Sequence, residues 1–397
     1  DAWDELASAI EGGTPFLRHA LLRAMEDSGS ACARTGWQAR FMTVHGPEAE
    51  GAPLWGACPV YMKSHSYGEY VFDWAWADAY DRAMAGQGQV LRPGQRYHPK
   101  LLSAVPFSPI PGQRLMVHPS LGLAQRQAVR ALMLNALTDT CEREGLSSAH
   151  LLFVSDEEVA QATALGWLDR EGVQFHWQGD PAWGDFAGFL ASLTRDRRKK
   201  IQQERRKVAD AGVSFEVKTG VDLSPDDWRF FEHCYTQTYL EHGQKPYLTS
   251  AFWQTLAAQA SDQWVMFIAS RHGQRIAASL LAVDPVHRVA YGRYWGALEH
   301  LSCLHFEACY YQPIAWCIAQ GILRFEGGAQ GEHKLHRGLL PVTTHSVHWL
   351  CHEGLKEAVA DFLHREKRGM RHYIDELSDH CPFKPGDSPL TIDEKLR

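Results

Sequence analysis

The chain has 397 residues, 45% of them hydrophobic, which is enough for a large core and, at this length, for two domains. Its formal net charge of −7 excludes a protein that coats nucleic acid by global charge and leaves room only for a local basic patch. Nine scattered cysteines form no CxxC pair, no apolar run is long enough to span a bilayer, and the stretch from Asp1 is acidic, unlike a signal peptide. A soluble cytoplasmic protein with reduced thiols is the expectation.

In chain order, Thr14 as N-cap and Pro15 at the first position predict a helix over 15–28, where Phe16, Leu17, Ala20, Leu21 and Ala24 recur at helical spacing. Strands are expected over 36–44 and 53–63, around a turn-rich 46–51 segment. A second amphipathic helix over 124–144 precedes short strands over 150–154 and 173–177. The second half opens with a long helix over 186–211 whose Phe186, Phe189, Leu190, Leu193, Ile201 and Val208 share one face. Helices over 225–237 and 250–260 follow, then strands over 264–270, 275–283 and 289–294, a helix over 306–320 and a strand over 322–325. Pro313 is expected to kink that helix or mark a late start. A last strand over 347–350, a helix over 355–376 and an irregular tail over 381–397 complete the chain. The order helix, helix, three strands, helix, strand occurs once per half, so two mixed α/β domains are expected, 1–183 and 184–397.

Several constellations carry possible chemistry. The 322–338 segment exits a strand through Glu326-Gly327-Gly328-Ala329-Gln330-Gly331-Glu332-His333-Lys334. Three glycines in five residues let a ligand approach the backbone, while Glu326, Gln330, His333 and Lys334 supply donors, acceptors and titratable groups; a tight, solvated strand exit reads the same way. One helix earlier, Glu307 and Tyr311 lie at i and i+4, on one face.

Aromatic density peaks over 67–80, where Tyr67, Glu69, Asp73, Trp74, Trp76 and Asp78 follow Lys63 and His65, and again at Arg293 and Trp295. Rings interrupted by charges suit a groove for an elongated amphipathic ligand, or equally a core. Arg197, Arg198 and Lys200 belong to a basic run opposed only by Asp196 and Glu204, fit for the phosphates of RNA or a nucleotide, although such runs are as a rule solvated helix faces. His345, His348 and His352 have ligand-like spacing, but in a strand the first two point to opposite faces, so no metal is assigned. HExxH, GxSxG, P-loop and GxGxxG patterns are absent.

The order YGRYWGALEH, LHFEACYYQPIAWCIAQGILRFEGGAQGEHK and RGLLPV, together with KSHSYGEYVFDWAWADAY and YHPKLLSAVPFSPIPG, resembles the FemAB-like family of the GNAT acyltransferase superfamily. The resemblance implies tandem GNAT-like folds joined by the basic helix, and N-acyl or aminoacyl transfer to an amine of a peptide-like or amino-acid-derived substrate. It also implies a donor that is aminoacyl-tRNA or acyl-CoA, with tRNA as a partner in the first case. A non-catalytic GNAT-like module binding a peptide or cell-wall precursor is the alternative. Acyl-CoA users of the superfamily carry a Q/R-x-x-G-x-G/A turn, and 284–288 after the 275–283 strand holds none. For amine acylation, Glu326, Glu307 or His333 is the candidate base, and Tyr311, Gln330 or Lys334 the candidate donor to the oxyanion or to a phosphate.

Overall fold

The structure is a computed structural model that describes residues 2–10, 12–85, 96–328 and 331–388. It divides into two compact units, Asp1–Gly172 with Thr343–His372, and Val173–Val342 with Tyr373–Arg397. The chain therefore changes unit within strand Leu168–Gln178, returns to the first within strand Leu339–Leu350, and leaves it again within helix Glu353–Asp379.

In the first unit, strands Trp37–Ala39, Val60–Lys63, Lys100–Ser103 and Ser148–Val154 lie side by side, and Leu339–Leu350 pairs antiparallel to the last of them from His345 onward. The stretch expected as one strand over 53–63 is two. Pro59 interrupts it, Leu54–Cys58 joining a separate three-stranded sheet and Val60–Lys63 the larger one, because proline cannot donate to a ladder. The helix expected over 15–28 is likewise divided: Arg18 is extended, separating a short turn Pro15–Leu17 from helix His19–Asp27. Helix Leu123–Glu144 packs Val129, Met133, Leu134 and Leu137 against Leu101, Leu151 and Val347 to form the core.

The second unit is built on an antiparallel run of Val213–Thr219, Trp264–Arg271, Gln274–Asp284 and Val289–Ala297. Its next strand, Arg324–Glu326, lies parallel to Val289–Ala297, which requires the crossover through residues 304–319. On its other side Arg324–Glu326 pairs antiparallel with His176, Trp177 and Gln178. Phe175, Trp177, Phe189, Ile201, Phe267, Tyr311, Ile314 and Phe325 fill the core.

The long basic helix is not a single element and does not join the units. Leu193 turns extended and bridges Phe383, and Thr194 N–H donates to the Pro382 carbonyl, dividing the segment into Phe186–Ser192 and Arg195–Asp210. Both helices lie inside the second unit.

The crossover helix has an irregularity with a local cause. Between Leu304–Phe306 and Gln312–Ala319, residues Glu307–Tyr311 form a π-helical turn, with Gln312 N–H donating to the Glu307 carbonyl. In that register the next donor would be residue 313, a proline without an N–H, so the Ala308 carbonyl loses its helical partner. The buried Ser279 hydroxyl donates to it instead, at 2.6 Å.

Candidate active site

In the second unit the parallel strands stay in register for only three pairs, Val289 with Arg324, Ala290 with Phe325 and Tyr291 with Glu326. Beyond that point they part. Arg324–Glu326 continues toward Phe175, whose carbonyl accepts from Gly327 N–H at 3.0 Å and whose N–H donates to the Gly328 carbonyl at 3.3 Å. Val289–Ala297 stays with Gln274–Asp284, across a register shift between Leu280 and Leu281. A side chain at Gly327 would meet Leu339 at 2.4 Å and the Phe175 carbonyl at 3.1 Å, so this close pass needs glycine.

The gap between the parted strands is a cavity of about 150 Å³. Arg293, Trp295, His305, Tyr310, Phe325 and Lys334 are among its lining residues. The Lys334 side chain is buried, and its ammonium donates to the Gly328 carbonyl at 3.3 Å. Burial, reinforced by the Arg293 charge, pushes its pKa down to about 8. Burial also lowers His305 to about 4, with His333, Arg337 and Lys334 adding to the effect, so at neutral pH its imidazole is uncharged. The Tyr310 hydroxyl lies 3.3 Å from His333 Nε2, and burial raises its pKa, keeping the phenol protonated.

The residues expected to act from the crossover helix are engaged elsewhere. Glu307 receives both the Arg205 guanidinium, at 3.1 Å, and the Gln312 amide, at 2.8 Å. The Tyr311 hydroxyl donates to Glu204, which also receives Arg337 at 2.9 Å. Neither Glu307 nor Tyr311 lines the cavity. Glu326 is buried at the last paired position, 3.3 Å from Arg324 Nε, and His333 is exposed beside Tyr310. Gln330 lies outside the described residues. Sequence reasoning missed His305 and Tyr310. The signal was Pro313, because the π turn it accompanies alters which of two consecutive tyrosines meets the strand gap.

The strand that leads into the crossover is Val289–Ala297, so a phosphate-binding turn at the start of the crossover would lie at 298–303, not at 284–288. That strand exit, Leu298-Glu299-His300-Leu301-Ser302-Cys303, contains no glycine.

Residues expected to line an aromatic groove divide into two sets in the first unit. Lys63, Glu69 and Asp73 are buried with Lys100, whose ammonium meets Glu69 at 2.8 Å and also Asp73 and Ser66. Lys63 sits over the Trp37 ring at 3.6 Å. Burial pushes Lys63 down to about 7, against the pull of Glu69, and pushes Glu69 up to about 7, against that of Lys100. The Tyr97 hydroxyl donates to Asp73 at 2.7 Å and lies 3.2 Å from His150, which meets His348 at 2.7 Å. Trp76 packs edge-on against His348. Tyr67, Trp74 and Asp78 are exposed, Tyr67 touching both His65 and Trp74 edge-on.

The histidines do not converge on a metal. His345 bonds Asp169 at 2.9 Å, His348 meets His150, and His352 accepts the Leu355 N–H of the following helix. Asp169, Glu171 and His345 cluster closely enough to hold an ion, but the Lys367 ammonium already meets Asp169 at 3.2 Å and Glu171 at 2.5 Å. On the basic helix, Ile201, Glu204 and Val208 face inward, Arg197 and Arg198 are half-buried, and Lys200 is exposed.

The sequence profile of the FemAB-like peptidoglycan biosynthesis/recognition family matches residues 1–385. The chain belongs to this family. No functionally curated protein matches it in sequence. Among solved structures, the C-terminal domain of a candidate lysylphosphatidylglycerol synthetase from Agrobacterium fabrum superposes with a TM-score of 0.53 at 8% identity, covering 91% of this chain and 94% of that one. L-PGS from Bacillus licheniformis gives 0.50 at 9% identity, covering 86% and 96%. A conserved protein of unknown function from Bacteroides thetaiotaomicron gives 0.51 at 11%, covering 88% and 96%. The FemAB-like chain is thus a mixed α/β protein that shares its fold with these synthetase domains. Among the described residues, no helix is long and apolar enough to cross a membrane.

Proposed function

We propose that this FemAB-like protein is an N-acyltransferase or aminoacyltransferase whose reaction takes place in the strand gap of the second unit, on an amine of a peptide-like or amino-acid-derived substrate. The observation that carries this reading is the parting of two parallel strands after Tyr291 and Glu326, which opens a cavity lined by a neutral imidazole and a protonated phenol.

Amine acylation needs little more from a protein than position, a proton acceptor and an oxyanion donor. The amine nitrogen attacks the acyl carbon, a C–N bond forms, and the bond from that carbon to an ester oxygen or thioester sulfur breaks. The proton lost by the amine passes to His305, the Tyr310 hydroxyl hydrogen-bonds the oxyanion and then gives its proton to the leaving atom, and the proton on His305 returns to Tyr310 to restore both groups. His333 stands next to Tyr310 as a positioning residue. Glu307, held by Arg205 and Gln312, and Tyr311, held by Glu204, maintain the crossover helix.

The donor is aminoacyl-tRNA or acyl-CoA. The glycine-free 298–303 exit favours the former, with Arg197, Arg198 and Lys200 as phosphate contacts. The test is incubation of the protein with charged tRNA and, separately, with acyl-CoAs in the presence of amine acceptors, with products read by mass spectrometry. Product that depends on Tyr310 and His305 supports the proposal. Transfer that persists in both Tyr310→Phe and His305→Asn overturns the site.

A further inference from the structure

We infer that the second unit holds a further ligand site, separate from the strand gap, for a small amphipathic anion: a carboxylate or phosphate carried on an aliphatic chain. Its place is a cavity of about 610 Å³ between helix Arg195–Asp210, strand Val213–Thr219 and the crossover helix. The crossover contributes Glu307 and Gln312 to this cavity but His305 and Tyr310 to the strand gap, and the two cavities share no lining residue. From the basic helix, Gln202, Arg205, Arg206 and Ala209 border the space. Their spacing of i, i+3, i+4 and i+7 sets them along one face.

The anionic half of the ligand follows from how Arg205 is held. Glu307 accepts from its Nε and its Nη2, each at 3.1 Å, and the guanidinium carbon lies 4.5 Å from the centre of the Phe186 ring. A guanidinium carries five N–H donors in a rigid fork, so a carboxylate on the Nε–Nη2 edge fixes the direction in which Nη1 meets a second acceptor. Arg206 is exposed beside it and supplies a second cation to the same cavity. The helix adds to the positive field, because over 195–207 its only acidic residues are Asp196 and Glu204. The aliphatic half follows from the walls. Leu190 and Val208 are buried and Val213 and Phe215 half-buried along the cavity, so a chain lying against them leaves water. The volume of about 610 Å³ corresponds to roughly twenty waters at about 30 Å³ each, far more than a bare phosphate or carboxylate fills.

The test is calorimetric titration of the full chain with octyl phosphate and, separately, with octanoate, butyl phosphate and 1-octanol. It is made on the wild type, Arg206→Gln and Ala209→Phe, with folding checked by circular dichroism. Both positions are exposed; the first variant removes a charge, and the second fills the space without altering any charge. Saturable binding of octyl phosphate, octanoate or both to the wild type is expected, weakened about tenfold or more in each folded variant. Butyl phosphate is expected to bind about tenfold or more weakly than octyl phosphate. The two eight-carbon anions distinguish a phosphate-bearing from a carboxylate-bearing ligand. If one variant does not fold, the other decides. Absence of saturable binding to the wild type, undiminished binding by a folded variant, equal binding of butyl and octyl phosphate, or 1-octanol binding as tightly as the anions overturns the inference. None of these probes is an acyl donor, so the result is independent of whether the strand gap catalyses transfer.

Discussion

The Ser279 hydroxyl donates to the Ala308 carbonyl at 2.6 Å, across the interface between a sheet strand and the crossover helix. It satisfies a carbonyl that the π turn and Pro313 leave without a helical donor, and so supports the register that brings Tyr310 to the cavity. Replacing Ser279 by Ala leaves that carbonyl buried and unpaired. The expected cost is about 1–3 kcal/mol, read as a lower urea midpoint with an unchanged slope. An unaltered midpoint would mean that the turn holds without this bond.

Tyr310 and Tyr311 are neighbours with separate tasks. Tyr310→Phe is expected to lower kcat by about 100-fold with little change in stability, because a positioned proton donor contributes on that scale. Tyr311→Phe removes a hydrogen bond to the Glu204 carboxylate and is expected to cost about 1–3 kcal/mol of stability while retaining most of the turnover. Kinetics and denaturation on both variants separate the roles, and the reverse pattern would exchange them.

In the first unit, Lys100 holds Glu69 and Asp73 together in a dry environment. Lys100→Met strands two buried carboxylates, and a loss of about 3–5 kcal/mol is expected. The compensated triple variant Lys100→Met, Glu69→Gln, Asp73→Asn should recover much of it. A single variant as stable as the wild type would show that the ion cluster does not hold this unit together.

The His345–Asp169 pair gives a pH dependence with a definite sign. The hydrogen bond and charge of Asp169 raise the His345 pKa above its unfolded value, despite burial. The folded state therefore binds the proton more tightly, and the stabilisation is present below the unfolded pKa of about 6.5 and is lost as pH rises through the folded value. His345→Gln should be less stable than the wild type at about pH 5.5 and close to it at about pH 9. A stability gap that widens with rising pH would contradict the assignment.

Elements whose pattern is local were legible in the sequence: helix Leu123–Glu144 from its apolar spacing, strands Trp264–Arg271 and Gln274–Asp284 around His272-Gly273, and the strand exit at Glu326-Gly327-Gly328. The break at Leu193 was not, because it depends on pairing with Phe383, far along the chain. Nor was the return of residues 343–372 to the first unit, which helical or strand periodicity does not encode. At the candidate site, Arg293 and Lys334 were legible as charges beside glycines. His305 and Tyr310 were not, since the π turn shifts the helical phase on which side-chain direction depends. The Lys63, Glu69 and Asp73 cluster read as a groove because its partners Lys100 and Tyr97 come from a later segment.

The most direct measurement is acceptor acylation followed by mass spectrometry, with aminoacyl-tRNA and acyl-CoA donors supplied in parallel to the wild type and to Tyr310→Phe. Transfer in the strand gap predicts a mass increase of one acyl or aminoacyl group on the amine with one of these donors, reduced about 100-fold in Tyr310→Phe. Undiminished transfer by Tyr310→Phe, or no product from either donor across peptide and amino-acid amines, would contradict it.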